Sequence, residues 1–150
     1  MLRLSRKTML TLEAVLDVAY NARPDPVQSK DITARQGIPQ RYLEQVMQQL
    51  VHHGILKGVR GPKGGYTLAR ERRRITVGDI VRIVDQLDEE ADREPVSQAE
   101  LGEKVVAPLW IDTRDSILER LDEITMEDLC RRARELGVAH GTRIEPDFHI

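Results

Sequence analysis

Val59-Arg60-Gly61-Pro62-Lys63-Gly64-Gly65-Tyr66 follows a run of helical periodicity that ends near His53-Gly54, and it reads as a tight basic hairpin. Three glycines and a proline supply the backbone angles a turn needs, and Arg60 and Lys63 put positive charge at its tip. Alone, such a segment describes any solvated turn. Behind a helix-turn-helix it becomes a wing, placed to reach a phosphate or a groove of double-stranded DNA. The residues upstream decide between the two.

Over residues 5–22, Met9, Leu12, Val15, Leu16 and Ala19 recur at helical spacing, with Ser5 as the expected cap and Pro24 as the stop. A short second helix is expected over residues 30–36, capped by Ser29 and ended by Gly37, and Gly37-Ile38-Pro39 forms the turn. The third helix spans residues 39–53. Leu43, Val46, Met47 and Leu50 fall at i, i+3, i+4 and i+7, and Gln40, Arg41, Glu44, Gln45 and Gln48 face away. Any amphipathic helix has a polar face, but Gln and Arg pair bidentately with base edges, and a recognition helix offers them from its first turns. Helix, tight turn, helix and basic hairpin together are more specific than any one of them.

After the hairpin, residues 66–69 read as the return strand, and Arg70, Arg72, Arg73 and Arg74 form a basic run suited either to phosphate or to solvent. Thr76-Val77-Gly78-Asp79 resembles a capping box opening a short helix to about residue 84. Residues 88–104 are acidic and aperiodic, which reads as a loop. A long helix is expected from Val105 or Pro108. Trp110, Ile117 and Ile124 are seven apart with Leu118 and Leu121 between, a stripe that fits either a partner helix or the monomer core. Thr125 with Asp128 caps a last helix to residue 136, closed by Gly137. The tail over 138–150 carries no pattern.

Charge divides along the same line. Residues 1–75 hold 14 Lys/Arg against 6 Asp/Glu, and residues 76–150 hold 9 against 19, so a net charge of −2 conceals a basic front and an acidic back. With 150 residues, 3% aromatics and 32% charged residues, the chain suits one mainly α unit with a small β-wing and a long C-terminal dimerisation helix. The expected organisation is a winged helix-turn-helix over 1–87, an acidic loop over 88–104, the dimerisation and last helices over 105–137, and the tail. The lone Cys130 excludes an intramolecular disulfide. No apolar run approaches a membrane span or signal peptide, so no membrane partner and a cytoplasmic location are expected.

The chain resembles the Rrf-two, IscR-like family of winged-helix transcriptional regulators. The matching stretches are Tyr42-Leu43-Glu44-Gln45, Val59-Arg60-Gly61-Pro62 with Gly64-Gly65-Tyr66, Val77-Gly78-Asp79-Ile80, Leu109-Trp110 and Ile124-Thr125, and the resemblance spans residues 2–136. It implies a homodimer crossed by the helix after Pro108 through Trp110, Ile117, Leu121 and Ile124. It also implies a near-palindromic operator, with Glu44 and Gln45 near bases and Arg60 in the adjacent minor groove. Cluster-binding members carry three close cysteines before the long helix and often a histidine ahead of the Leu-Trp pair. Here residues 88–104 contain no cysteine, and Ala107-Pro108 precede Leu109-Trp110. The usual iron-sulfur site is absent and no cofactor is expected. The remaining option is an atypical cluster involving Cys130, against the plainer reading of a buried structural cysteine.

His52, His53, His140 and His149 lack compact ligand spacing, so no metal site is expected. No phosphate loop or nucleophile elbow is present, and an enzyme is not expected. Three functions stay open. The first is a regulator of transcription, a repressor, answering to sulfur, cysteine or iron-sulfur status. The second is an interaction module whose acidic half binds a metabolic enzyme as protein effector. The third is an atypically ligated iron-sulfur or redox sensor.

Overall fold

The computed structural model describes residues 5–22, 25–91 and 99–141. Helix α1 (Arg6–Asn21) opens at Ser5, whose Oγ accepts from the Thr8 amide at 3.2 Å. Its buried face follows the expected stripe only in part, at Val15 and Ala19. Met9 is exposed and Leu12 and Leu16 only flank the core, whereas Thr11, Ala14, Val15 and Val18 are buried. The reason is crowding: α1 packs against four of the other five helices, so small side chains let its neighbours approach. Thr11 tolerates burial because its hydroxyl donates to the Lys7 carbonyl at 2.7 Å. The helix closes at Ala22, and Pro24 lies outside the described residues.

Helix α2 (Ser29–Gln36) starts one residue before its expected position. Ser29 is its first residue and Gln28 the cap, without a side-chain bond, so the expected role of Ser29 is corrected. The cause lies in the preceding chain, where Val27 exchanges both backbone bonds with Tyr66, at 2.9 and 2.7 Å, and delivers Gln28 to the helix start. Gly37, left-handed at φ 66°, ends α2 as expected. Helix α3 (Gln40–His52) buries Leu43, Val46, Met47 and Leu50. The chain then turns into β1 (Leu56–Val59), paired antiparallel with β2 (Gly65–Leu68) in the register Leu56 to Leu68 through Val59 to Gly65.

A single 3-10 turn (Arg72–Arg74) leads to α4 (Val77–Ala91), which runs past the expected end at residue 84. Its capping box is formed: the Thr76 amide donates to Asp79 Oδ2 and the Asp79 amide to Thr76 Oγ1, both at 3.0 Å. Acidic composition hid about two turns, whereas the apolar period through Ile80, Val84 and Leu87 had continued. The acidic loop expected over 88–104 is corrected at both ends: residues 88–91 are helical, and helix resumes at residue 100. Residues 92–98 lie outside the described residues.

The second helical stretch widens into a π-turn at Gly102–Val106 and continues as α5 (Ala107–Leu121). Pro108 accounts for the widening. It has no amide proton for the Lys104 carbonyl, and its ring would collide with that carbonyl in an unbroken α-helix. Helix α6 (Met126–Glu135) begins with a complete Thr125/Asp128 capping box. A backbone bridge between Thr76 and Thr125 joins the starts of α4 and α6. Both ends then feed one core, with Ile75, Ile80, Met126 and Cys130 buried beside Val15, Val18 and Leu50.

Candidate nucleic-acid interface

Burial of Leu43, Val46, Met47 and Leu50 turns the opposite side of α3 outward, and Gln40, Arg41, Glu44, Gln45 and Gln48 are all exposed on it. Gln40, Glu44 and Gln48 form one ridge at i, i+4, i+8, with Arg41 and Gln45 beside it. Gln40 Nε2 donates to Glu44 Oε1 at 3.4 Å, a long contact that leaves the carboxylate free to accept elsewhere. The outward placement expected for these five residues is the one observed.

Three residues link α3 to the wing, and the Ile55 amide, the last of them, donates to the Leu50 carbonyl at 2.9 Å. Its tip is tight: Gly61 has φ 111° and its carbonyl accepts from the Gly64 amide at 2.9 Å. Arg60 and Lys63 are exposed at that tip. At the start of β2, next to the tip, a Cβ on Gly65 would collide with the Val27 carbonyl, so this glycine is required by a neighbouring backbone rather than by its own angles. That close approach, the anchor of the wing on the segment before α2, was not visible from sequence. Exposed Lys30 at the start of α2 and Lys57 on β1 add cations that sequence reasoning also missed. Nothing in their local pattern distinguishes them from solvated lysines.

The arginine run behaves differently. Arg70 lies 3.8 Å from Asp79, Arg73 donates to Glu71 at 2.6 Å, and Arg72 pairs with Glu127 on α6. Three of its four guanidiniums therefore have carboxylate partners within the fold, and Arg72 ties the wing's return to α6. Exposed Arg74 shares none of these pairs.

The candidate dimerisation residues separate into two groups. Trp110 and Ile117 are exposed, and Leu101, Val105, Val106, Leu109 and Ile111 join them on the outer surface of the π-turn and α5. Leu121 and Ile124 instead pack, partly buried, against the monomer core beside buried Leu118, the second of the two packings that the stripe allowed. The Ile124 carbonyl accepts from the Val77 amide at 2.8 Å, which turns this residue inward with the bridge. A spacing of seven does not distinguish a helix from the turn that follows it.

Cys130 is fully buried on α6, and burial pushes its thiol up from the ordinary value. A raised thiol resists becoming the thiolate that a cluster requires. Residues 88–104 offer carboxylates and no cysteine or histidine, and no group of three or more metal-binding side chains comes together among the described residues. This donor set does not fit an iron-sulfur cluster. His140 stacks on Tyr20 at 4.0 Å between ring centroids.

A helix-turn-helix followed by a basic two-stranded wing defines a winged-helix DNA-binding regulator. The family model described as "Iron-dependent Transcriptional regulator", Rrf2, matches residues 4–132, and the chain belongs to the Rrf2 family. It is 34% identical over 139 residues to the HTH-type transcriptional regulator IscR of Pectobacterium atrosepticum, covering 92% of this chain and 85% of that protein. Among solved structures, the chain is similar to T. potens IscR with a TM-score of 0.73, 38% identity and coverage of 93% and 94%. It is also similar to CymR, the global cysteine regulator of B. subtilis, with a TM-score of 0.68, 32% identity and coverage of 88% and 98%. The protein is a transcriptional regulator and not an enzyme. No helix among the described residues is long and apolar enough to cross a membrane.

Proposed function

We propose that this regulator is a homodimeric repressor that reads a near-palindromic operator through α3 and the wing, without an iron-sulfur cluster. The observation that carries this reading is the joint exposure of Gln40, Arg41, Glu44, Gln45 and Gln48 on one side of α3, with Arg60 and Lys63 projecting from the hairpin attached to its end. Amides, a guanidinium and a carboxylate are the groups that pair with base edges, and the wing's cations suit phosphate or the minor groove. The second copy is supplied by the apolar surface of α5, where Leu109 is 65% and Trp110 56% exposed, more than an isolated helix in water favours.

The signal on this reading concerns sulfur or cysteine supply and reaches the protein by a route other than cluster assembly. Support comes from the donor set together with the likeness to a cysteine regulator. Selection of bound sites from random duplexes, followed by titration across salt concentrations, tests the reading. A palindromic consensus with half-sites about one helical turn apart is expected. Salt-insensitive binding without a consensus would sink it. Colour in anaerobically purified protein with stoichiometric iron and sulfide would overturn the absence of a cluster.

A further inference from the structure

Residues 138–141, after α6, stay on the body of the molecule. Val138, His140 and Gly141 return to the end of α1, some 120 residues away in sequence. The Tyr20 hydroxyl donates to the Val138 carbonyl at 2.6 Å, and the His140 ring stacks on the Tyr20 ring at 4.0 Å with 17° between planes. His140 Nδ1 lies 3.1 Å from the Tyr20 carbonyl, which can only accept, so Nδ1 carries the proton. The Gly141 amide donates to Asn21 Oδ1 at 2.7 Å.

These contacts end against α2. A Cβ on Gly141 would lie 2.5 to 2.8 Å from the Arg35 side chain, so the backbone at this glycine lies directly on the guanidinium. Arg35 in turn forks onto buried Asp17 of α1, with Nε to Oδ2 at 2.9 Å and Nη2 to Oδ1 at 2.7 Å, and Gln36 Nε2 donates to the same carboxylate at 2.8 Å. The last turn of α2 is therefore held by Asp17 on its inner side and covered by Gly141 on its outer side. One residue later comes Gly37 and the turn into α3. Beneath the first half of the segment lies a cavity of about 390 Å³ lined by Leu16, Tyr20, Gln36, Ala133 and Val138. The segment is thus held by a few polar contacts and one stacked ring rather than by a filled apolar interface, and such elements open at low cost.

We propose that residues 138–141 are a strap that clamps α2 onto α1 and thereby sets how α3 is presented, making this short segment after α6 a control point for operator binding. The operator half of this inference rests on the function proposed above, and the clamp half does not. Amide exchange on the full chain separates them. His140→Ala removes the stacked ring, Gly141→Leu displaces the strap from Arg35 without altering α1, and Tyr20→Phe removes only the hydroxyl bond to Val138. Both strap variants should raise exchange in residues 17–22 and 29–36 by roughly three- to tenfold while α4 and α5 keep parental protection. Tyr20→Phe should move the same peptides less, and operator affinity should fall in the same order.

Parental exchange in α2 for both strap variants would overturn the clamp, as would a rise spread equally over α4 and α5, because the segment would then act as ordinary core. Looser α2 with unchanged operator affinity would overturn the control role alone. A parent that binds no operator would remove the function proposed above, and the exchange result would still decide the clamp.

Discussion

Glu44 is repelled by phosphate, so a carboxylate in the middle of an amide-rich, cationic face needs a donor such as cytosine N4 to be useful there. Glu44→Ala is expected to broaden the set of bound sequences while holding affinity for bulk DNA, which a site selection on variant and parent would show. An identical consensus would end its role in direct readout. Lys63 should act on all sequences alike: Lys63→Ala is expected to weaken binding and lower the salt slope by about one. Inside the fold, the Asp17 side chain is fully buried and holds Arg35, whose side chain is 14% exposed. Hydrogen bonding to Asp17 is the largest cause raising the Arg35 pKa, and because a guanidinium stays charged in a protein even without its partner, removing Asp17 leaves a largely buried cation unpaired. Asp17→Ala should therefore cost about 3 kcal/mol or more of unfolding free energy, read from the denaturant midpoint.

Among the elements, the capping box of α6 and the join between α4 and α5 carry the acid dependence. Backbone and hydroxyl bonds from Thr125 hold Asp128 below the ordinary carboxylate value of 3.8, and hydrogen bonds from Arg82 do the same for Asp122. A depressed carboxylate stabilises the fold above its unfolded pKa and loses that contribution as pH falls through the folded value. Stability should therefore be level near neutrality and decline from about pH 4 downward, and Asp128→Asn should make that decline shallower. The α5 surface yields a separate expectation. Leu109 is largely exposed in the monomer, so Leu109→Asp should leave the helical circular dichroism intact while sedimentation shifts from dimer to monomer. A dimer that survives this change would place the interface elsewhere.

Across the whole molecule, the uneven charge division aligns with the architecture: the basic 1–75 segment contains α1 to α3 and the wing, and the acidic remainder contains α4 to α6. Local signals carried much of this. The period of α3, Gly37 and Gly137 as helix ends, the hairpin's turn residues and the Thr76 and Thr125 boxes each depend on neighbours within a few residues, so they could be read directly. Where the reading went astray or stayed open, a distant partner had intervened. The buried face of α1 was set by the helices around it, the start of α2 by Tyr66, and the inward turn of Ile124 by Val77.

Helix periods, caps and turn residues are backbone and side-chain preferences that operate over a few positions, so the chain alone specified a winged helix-turn-helix, the outward residues of α3 and the missing thiolates before α5. Only tertiary packing decided which apolar residues of α5 and its following turn face the core and which remain open to a partner. It alone brought residues 138–141 back onto Tyr20, Asn21 and Arg35. Contacts separated by 120 residues leave no periodic trace, because their partners are chosen by the path of every element between them.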